Sequence, residues 1–438
     1  MNTQVIDERE FVNDFKRDNK AGFHKFVKDY DAFQAPVLRT QGWEHVNTKS
    51  RTIVFTFGEI AFSRRIWKKG KKTKCPVDEK LGLEPFVRCS KEMIFQIAKI
   101  STTVSYSKTC EIIELVYNVI ITKDTVLKAR KLATRLLEEK KEYKYYEELT
   151  EAPKKIKADV LYVEGDGVML KTTDKEADNH NTDMAHFIIH TGSEQVSKTR
   201  CRLKNKHEIA CLSNTEARER MMNYIYNHYE ITEDTILITN SDHGHGYTPY
   251  IFKELKDLLQ IKHHHHFWDQ YHLNKKIKDK MKFAGNELVN KVFKAVQAHD
   301  KGLLRAAIDT AESLIEDDEH QEEFTSFKRK MLHNFQYTKP AEMRGFSNAG
   351  IGIMESQHRK ITYRMKKRGM YWSPEGANTM TQLIILNYQN ELRDLFFGDW
   401  RERYAKYQEV EKIPHRANAK SVSKTHQVKQ RVTPKKHR

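Results

Sequence analysis

Apolar and polar positions alternate first along "RTIVFTFGEIAFSRRIW". Ile53, Phe55 and Phe57 keep a period of two, Gly58-Glu59 interrupts it, and Ile60 and Phe62 resume it. A two-residue period broken at a turn residue predicts a β-hairpin. The 50 residues before it read as helical and flecked with aromatics. Residues 91–148 look all-helical. Within them, "YSKTCEIIELVYNVIITKDTVLKARKLATRLLEEKK" has the grammar of a helix-turn-helix. Ile112, Ile113, Leu115 and Val116 supply the apolar face of a first helix, and Thr122 can cap a second.

After the charged "EEKKEYKYYEELTEAPKKIK" the pattern changes to strands. "ADVLYVEGDGVMLKT", "DMAHFIIHTG" and "RCRLKNKHEIACLS" are apolar or alternating runs in close succession. The helical "TEARERMMNYIYNHYEI" follows, then the buried-type strand "TILITNSDHGHGY", the helix "FKELKDLLQ", and a strand within "IKHHHHFWDQYHLNKK". This order predicts the α/β class: a ribonuclease-H-like mixed sheet carrying an antiparallel hairpin set. Residues 273–345 are helical and charged without a strand signal, which predicts an all-helical insertion inside that core. The expected division is an N-terminal helical region (1–50), a hairpin with a basic ribbon (51–90), and a helical DNA-binding region (91–150). The first part of the α/β core (155–272), the insertion (273–345), the end of the core (346–411) and a disordered basic tail (412–438) follow.

Charge narrows the partners. The formal net charge is +17 and the pI about 9.3, which point to a polyanion. Nucleic acid is the first expectation; an anionic membrane surface or merely a basic enzyme are the alternatives. No apolar run approaches the roughly 20 residues that span a bilayer. The N-terminus resembles neither a secretory nor a transit signal, so an intracellular protein is expected. Cys75, Cys89, Cys110, Cys201 and Cys211 are scattered and never form a C-x-x-C pair, which argues against disulfides and zinc fingers. Candidate DNA contacts are Arg64, Arg65, Lys68 and Lys69, crowded around Trp67, and Lys123, Lys128 and Arg130 on the second helix. The plainer readings are a solvated loop and a helical scaffold.

Three acids stand where a metal-dependent phosphoryl-transfer site would want them. Asp166 lies on an apolar strand, where an ionised carboxylate is costly unless paired or metal-bound. Asp242 stands at the carboxyl end of the next buried strand, the place where open α/β sheets carry their sites. Glu355 begins a helix after a run of small residues. Two Mg²⁺ ions about 3.5–4 Å apart can activate an attacking oxygen and stabilise a leaving one. Hard carboxylate ligands suit them. Each acid also has a plainer reading: a "GDG" turn for Asp166, a helix cap for Asp242, and a first-turn acid for Glu355.

Together these residues resemble the bacterial insertion-sequence transposases of the ISLre type, within the DDE superfamily. The similarity runs from about Arg51 to about Ala377 and includes "FGEIAFSRRIW", "DEKLGL", "YVEGDGV", "WDQYHL" and "MESQHRKITYRMKKRGMYWSPEGA". In the last of these, Glu355, Arg364, Arg368, Trp372, Ser373 and Gly376 match the family's pattern. The resemblance implies a ribonuclease-H-like core with the triad Asp166, Asp242 and Glu355. These would bind two Mg²⁺ ions, with Mn²⁺ as a substitute, and Asp166 would bridge them. "DQYH" matches an Asp/Cys-x-x-His signature ahead of the insertion, which makes Asp269 and His272 accessory residues beside Arg364, Arg368 and Trp372. Two departures stand out: "SDHGHGY" replaces a "GDGA"-like turn followed by tryptophan, and Gly369 stands where a proline is usual.

The implied function is a transposase that binds the terminal inverted repeats of its own element and cuts and joins DNA with Mg²⁺. It would work on repeats and target DNA as a dimer or larger homo-oligomer, in the bacterial cytoplasm at the nucleoid, with no membrane partner. The alternatives are a non-catalytic DNA-binding protein on a decayed transposase fold and a His-rich metal-storage protein. Against the last, His263–His266 read as part of a strand, whose successive side chains face opposite ways and cannot all reach one ion. Asp269 and His272, three apart, are expected to brace the active site or the flanking DNA strand. A capping Asp with a surface His is the plainer reading.

Overall fold

The computed structural model describes residues 7–176, 180–198, 200–346, 350–366 and 369–409. Arg368 and the basic tail 412–438 lie outside the described residues. The chain divides into two compact units: 1–96 with 127–152 and 390–438, and 97–126 with 153–389.

The first unit is built on α1 (Glu8–Thr40) and the three-stranded sheet β1 (Glu44–Phe55), β2 (Gly58–Lys69) and β3 (Lys72–Lys74). The hairpin turn falls at Thr56-Phe57, one step before the expected Gly58-Glu59, which open β2, and β1 begins at Glu44, earlier than the alternation indicates. Its first half is exposed on both faces, so no alternation was there to read. Ile53, Phe55, Ile60 and Phe62 pack with Val27 of α1 and Val77. Trp67 is fully buried against Ala35 and Leu38, so it cannot stack on a nucleic-acid base.

The helices after the sheet are α2 (Pro76–Lys80), α3 (Lys91–Ser101), α4 (Tyr106–Tyr117) and α5 (Lys123–Thr150). The expected helical pair, α4 and α5, is real as two helices, but α4 belongs to the second unit and α5 from Leu127 to the first. Leu115 and Val116 are exposed rather than core, and Ile113 alone of that face is fully buried.

The second unit carries a five-stranded mixed sheet. Its strands are β5 (Val160–Lys171), β6 (Asn181–His190), β9 (His207–Cys211), β11 (Ile236–Ser241) and β12 (His263–Trp268), ordered β12-β11-β5-β6-β9. β4 (Ile156–Lys157) with β10 (Tyr229–Glu230), and β7 (Ser193–Ser197) with β8 (Arg200–Leu203), form minor pairs. β5, β11 and β12 run parallel; β6 is antiparallel to β5, and β9 to β6. One face of the sheet buries Leu161, Val163 and Phe187 against α6 (Asn214–His228) and α7 (Pro249–Leu258). The other buries Val168, Leu170 and Met184 against α12 (Met354–Met365) and α13 (Pro374–Tyr388). Each fully buried Phe or Leu contributes about 1.5–3 kcal/mol of transfer free energy. Between β12 and α12 lie α8 (Gln270–Met281), α9 (Gly285–Gln297), α10 (Lys301–Glu312) and α11 (Asp318–Asn334), with a core of their own that includes Ile277, Val292, Ile308 and Phe327. α14 (Leu392–Phe397) returns to the first unit.

The histidine run is β12, one edge of the sheet. His264 Nε2 and His266 Nδ1 both reach Thr239 Oγ1, at 2.9 and 2.8 Å, and His266 Nε2 lies 2.9 Å from His243 Nε2. Two ring nitrogens that close share one proton between them, so the two histidines are not both charged. Burial holds His264 down to about 4, His243 to about 3 and His266 well below the usual imidazole range. Since the folded values are depressed, the unfolded chain binds more protons below about pH 6.5. Stability is therefore present above that pH and falls with acidification. The expected slope is about 1.4 kcal/mol per pH unit for each such histidine down to its folded value. Melting temperatures measured between pH 7 and 4 should fall steeply, and His266→Gln should flatten the slope.

Candidate active site

β5 runs unbroken through "GDG", so Asp166 is a mid-strand residue and not a turn. The glycines are there for close approach. A Cβ on Gly165 would meet the Phe187 ring at 2.5 Å, and one on Gly167 would meet Asp183 Oδ1 at 2.2 Å. Asp242 directly follows β11, and Asp269 directly follows β12, so both stand at the carboxyl ends of neighbouring parallel strands. Asp242 caps no helix; its Oδ1 accepts from Gly244 N at 2.7 Å. The loop after it is pinned by Ser241 Oγ donating to the Tyr247 carbonyl and Trp268 Nε1 donating to the Asp242 carbonyl.

Glu355 sits in the first turn of α12, exposed. The approach to that helix is fixed by Glu164, on the same face of β5 as Asp166. The fully buried Glu164 carboxylate accepts from Gly352 N at 2.9 Å, Ile353 N at 3.3 Å and Asn240 Nδ2 at 2.9 Å. Burial outweighs these bonds and pushes its carboxyl up to about 7. Asn240 Nδ2 also donates to Asp269 Oδ2 at 3.2 Å.

One cleft is lined by Asp166, Asp242, Asp269, His272 and Glu355. A larger pocket of about 1020 Å³, sharing Asn240, Asp269, Tyr271 and Gly352 with the cleft, opens beside it. Asp269 is the N-cap of α8, its Oδ1 accepting from His272 N at 3.0 Å. That cap directs His272 back to the strand, with Nε2 3.4 Å from Asp166 Oδ2. His358, on the buried side of α12, places Nδ1 3.6 Å from the same oxygen. Burial pushes the Asp166 carboxyl up, but the His272 hydrogen bond and the two imidazoles outweigh it and hold it below the ordinary range. The His272 ring is raised in turn, chiefly by its bond to Asp166. Asp242 is raised by burial and by the Asp166 charge, and burial with the same two neighbours raises Asp183 against the bond from Tyr247 Oη.

These charges bear on metal binding. The donors are hard oxygens, and the mutual repulsion of Asp166, Asp242 and Asp183 is excess negative charge that a cation would relieve. In those respects the residues fit Mg²⁺. The carboxylates do not form a closed ligand set, however: among the described residues no three His, Cys, Asp or Glu side chains are grouped to hold one ion.

The remaining sequence candidates lie elsewhere. Arg364 is buried, donating from Nε to the Ser101 carbonyl at 2.8 Å and stacking over Trp372 at 5.0 Å; both brace α12 and neither lines the cleft. Arg64 is tied to Asp78 and the Lys49 carbonyl, Arg65 to Asp31, and Lys69 to the Gln41 carbonyl. Arg130 is buried and unavailable to a phosphate, whereas Lys68, Lys123 and Lys128 are exposed.

Sequence reading missed Glu164, Asp183 and a buried network behind His358. Glu208 accepts from His186 Nε2 at 2.9 Å, Lys206 at 2.9 Å and Lys360 at 2.5 Å, and His186 stacks on His358. Glu164 two residues before Asp166, and His358 three after Glu355, were the available signals.

A mixed α/β protein with a carboxylate–histidine cleft at the carboxyl ends of parallel strands is thus defined. The chain belongs to the uncharacterised protein family UPF0236, whose model matches residues 23–403. It is 30% identical over 362 residues to a UPF0236 protein in the vanSb 3′ region of Streptococcus gallolyticus, covering 82% of this chain and 76% of that one. Among solved structures, a Drosophila P element transposase strand transfer complex aligns with 73% of this chain and 84% of that one, at 12% identity and a TM-score of 0.23. A likeness that slight bears on neither fold nor function. No helix among the described residues is long and apolar enough to cross a membrane.

Proposed function

We propose that this protein is a DDE-type transposase of the ISLre kind, cutting and joining the DNA ends of its own insertion sequence in the bacterial cytoplasm. The observation that carries the reading is the meeting of Asp166, Asp242 and Glu355, far apart in sequence, along one cleft. The sheet order β9-β6-β5-β11-β12, with β5, β11 and β12 parallel, supports a ribonuclease-H-like core. The net charge of +17 supports a nucleic-acid partner.

Asp166, Asp242 and Glu355 would hold Mg²⁺, with Mn²⁺ as a substitute; the bound ions would supply an activated water and stabilise the leaving oxygen. The chain's own residues do the rest. His272 orients the Asp166 carboxylate and holds a proton at Nε2. Glu164 fixes the approach to α12 and so the position of Glu355. Lys68, Lys123 and Lys128 meet phosphates, with specificity for the terminal repeats set by elements of the first 150 residues. The freed 3′-hydroxyl then attacks target DNA without a covalent protein–DNA intermediate.

A second reading, a DNA-binding protein on a decayed transposase fold, is favoured by one feature: the Asp166 oxygen that would meet an ion already faces two imidazoles. Incubation with a plasmid carrying the inverted repeats that flank the gene separates the two. Strand breaks with 3′-hydroxyl ends, present with Mg²⁺ and absent with EDTA, are expected; binding without breaks would leave the second reading.

A further inference from the structure

The exposed face of α1 carries a row of large apolar side chains that no described residue of its own unit covers. Phe11, Phe15, Phe26, Phe33 and Val37 are between 39% and 69% exposed. At about 100° per residue they fall, with Gly22, on a stripe about 80° wide running most of the helix. The opposite face is the one that packs on the hairpin, through Val27, Ala35 and Leu38. Among the described side chains of residues 8–22 none is buried and all but Lys16 are exposed; Lys20 reaches the hairpin at Gly58.

We infer that this stripe is an interface between two copies of the chain, packed antiparallel. The pattern is self-complementary when reversed. Pairing Phe15 with the Phe33 of a second copy sets Phe11 against Val37 and Gly22 against Phe26. Gly22 is the telling residue. A glycine inside a helix weakens it, and this one has no packing reason among the described residues, since a Cβ there would meet nothing within 4 Å. In the antiparallel register it is the recess into which the second copy's Phe26 fits, and the twofold axis repeats the fit. Each exposed N-terminal half then lies on the hairpin-anchored half of the other copy. Asp18 and Lys25 border the stripe on one side, as the polar rim that such interfaces carry, and Asp29, within it, faces Asn19 of the second copy in the same register.

The area suffices. At about 200 Å² per phenylalanine, the exposed parts of these side chains come to roughly 500 Å² per copy. Two copies would bury about 1,000 Å² of apolar surface, and with a polar rim the total falls within the roughly 1,200–2,000 Å² of a specific interface. Dimerisation through α1 requires no DNA and stands apart from the strand-transfer reading.

Sedimentation of the full chain without DNA tests it. A dimer is expected, with its dissociation constant raised at least about tenfold by Phe15→Glu, Phe33→Glu or Gly22→Leu. Gly22→Leu should do so while helix content by circular dichroism stays the same or rises, which separates packing from folding. Mixing Phe11→Cys with Val37→Cys chains and oxidising should link the two substituted positions, identified by mass spectrometry of the joined peptides. A monomeric wild type, a dimer indifferent to these substitutions, or a link joining two copies of position 11 would each overturn the inference.

Discussion

Asp166→Asn is expected to lower Mg²⁺-dependent cleavage of end-bearing DNA by about 10³-fold or more, while DNA binding and the melting curve change little. Asparagine keeps the shape of the side chain between His272 and His358 but cannot carry the charge that both imidazoles face. A preorganised charge in such a cleft is worth roughly 10²–10³ in rate on its own, and a lost metal ligand adds to that. The substitution also has a local signature. Without the Asp166 charge, the His272 ring loses the anionic acceptor that raises it, and the Asp242 carboxyl loses a charged neighbour that raises it. Titration of the His272 ring by NMR should therefore show its pKa falling in the variant. Cleavage within about tenfold of wild type, a loss of only about 1.4 kcal/mol, would remove Asp166 from the machinery.

Glu208→Gln is expected to cost about 3–5 kcal/mol of stability, the range found when one member of a buried ion pair is removed. The Glu208 side chain is fully buried and serves His186, Lys206 and Lys360 at once. Lys360 is itself only 6% exposed, and burial draws its ammonium down to about 8 even with Glu208 beside it. A neutral amide would leave that cation without an anion. Replacing both partners by apolar residues of similar size, Glu208→Leu with Lys360→Met, should recover much of the loss. Burial pushes the Glu208 carboxyl up, but its bond to His186 and the neighbouring cations outweigh that and hold it well below the usual range. Its contribution is therefore present above the unfolded value of about 4.3 and is lost as pH falls toward the folded one. Urea midpoints of the single and double variants check both statements. Equal midpoints for wild type and Glu208→Gln would show the network to be solvated.

Much of the second unit was legible because its strands are apolar runs and its acids interrupt them. "VLYVEGDGVML" reads as a buried strand with a charge that demands a reason, and "ILITNSD" as a strand ending in one. The sequence could not show which partner answers each charge. His358 and Asp166, or Lys360 and Glu208, meet only because α12 packs on β5 near β9. Trp67 looked available beside its lysines, yet it is fully buried in a separate cluster with Ala35 and Leu38; its place in the alternation is opposite to that of Ile60 and Phe62, so the period-two pattern did not announce this burial. Leu115 and Val116 looked like core and are exposed, since a helical period marks a face without saying what covers it. The same ambiguity hid the stripe on α1, whose aromatics mark a helix without saying what covers them. The run of four histidines drew the eye, but its alternating faces make it sheet packing, and its functional neighbour is the Asp269 cap that aims His272 at Asp166.

The central claim is that this cleft joins a DNA 3′-hydroxyl to a target strand. The most direct measurement supplies pre-cut ends of the flanking inverted repeats, with either a 3′-hydroxyl or a 3′-deoxy terminus, together with plasmid target and Mg²⁺. Joined product is expected from the hydroxyl ends alone, with none from the deoxy ends, none with Asp166→Asn, and no protein covalently bound to DNA at any time. Joining of deoxy ends, or a protein–DNA adduct, would contradict the account.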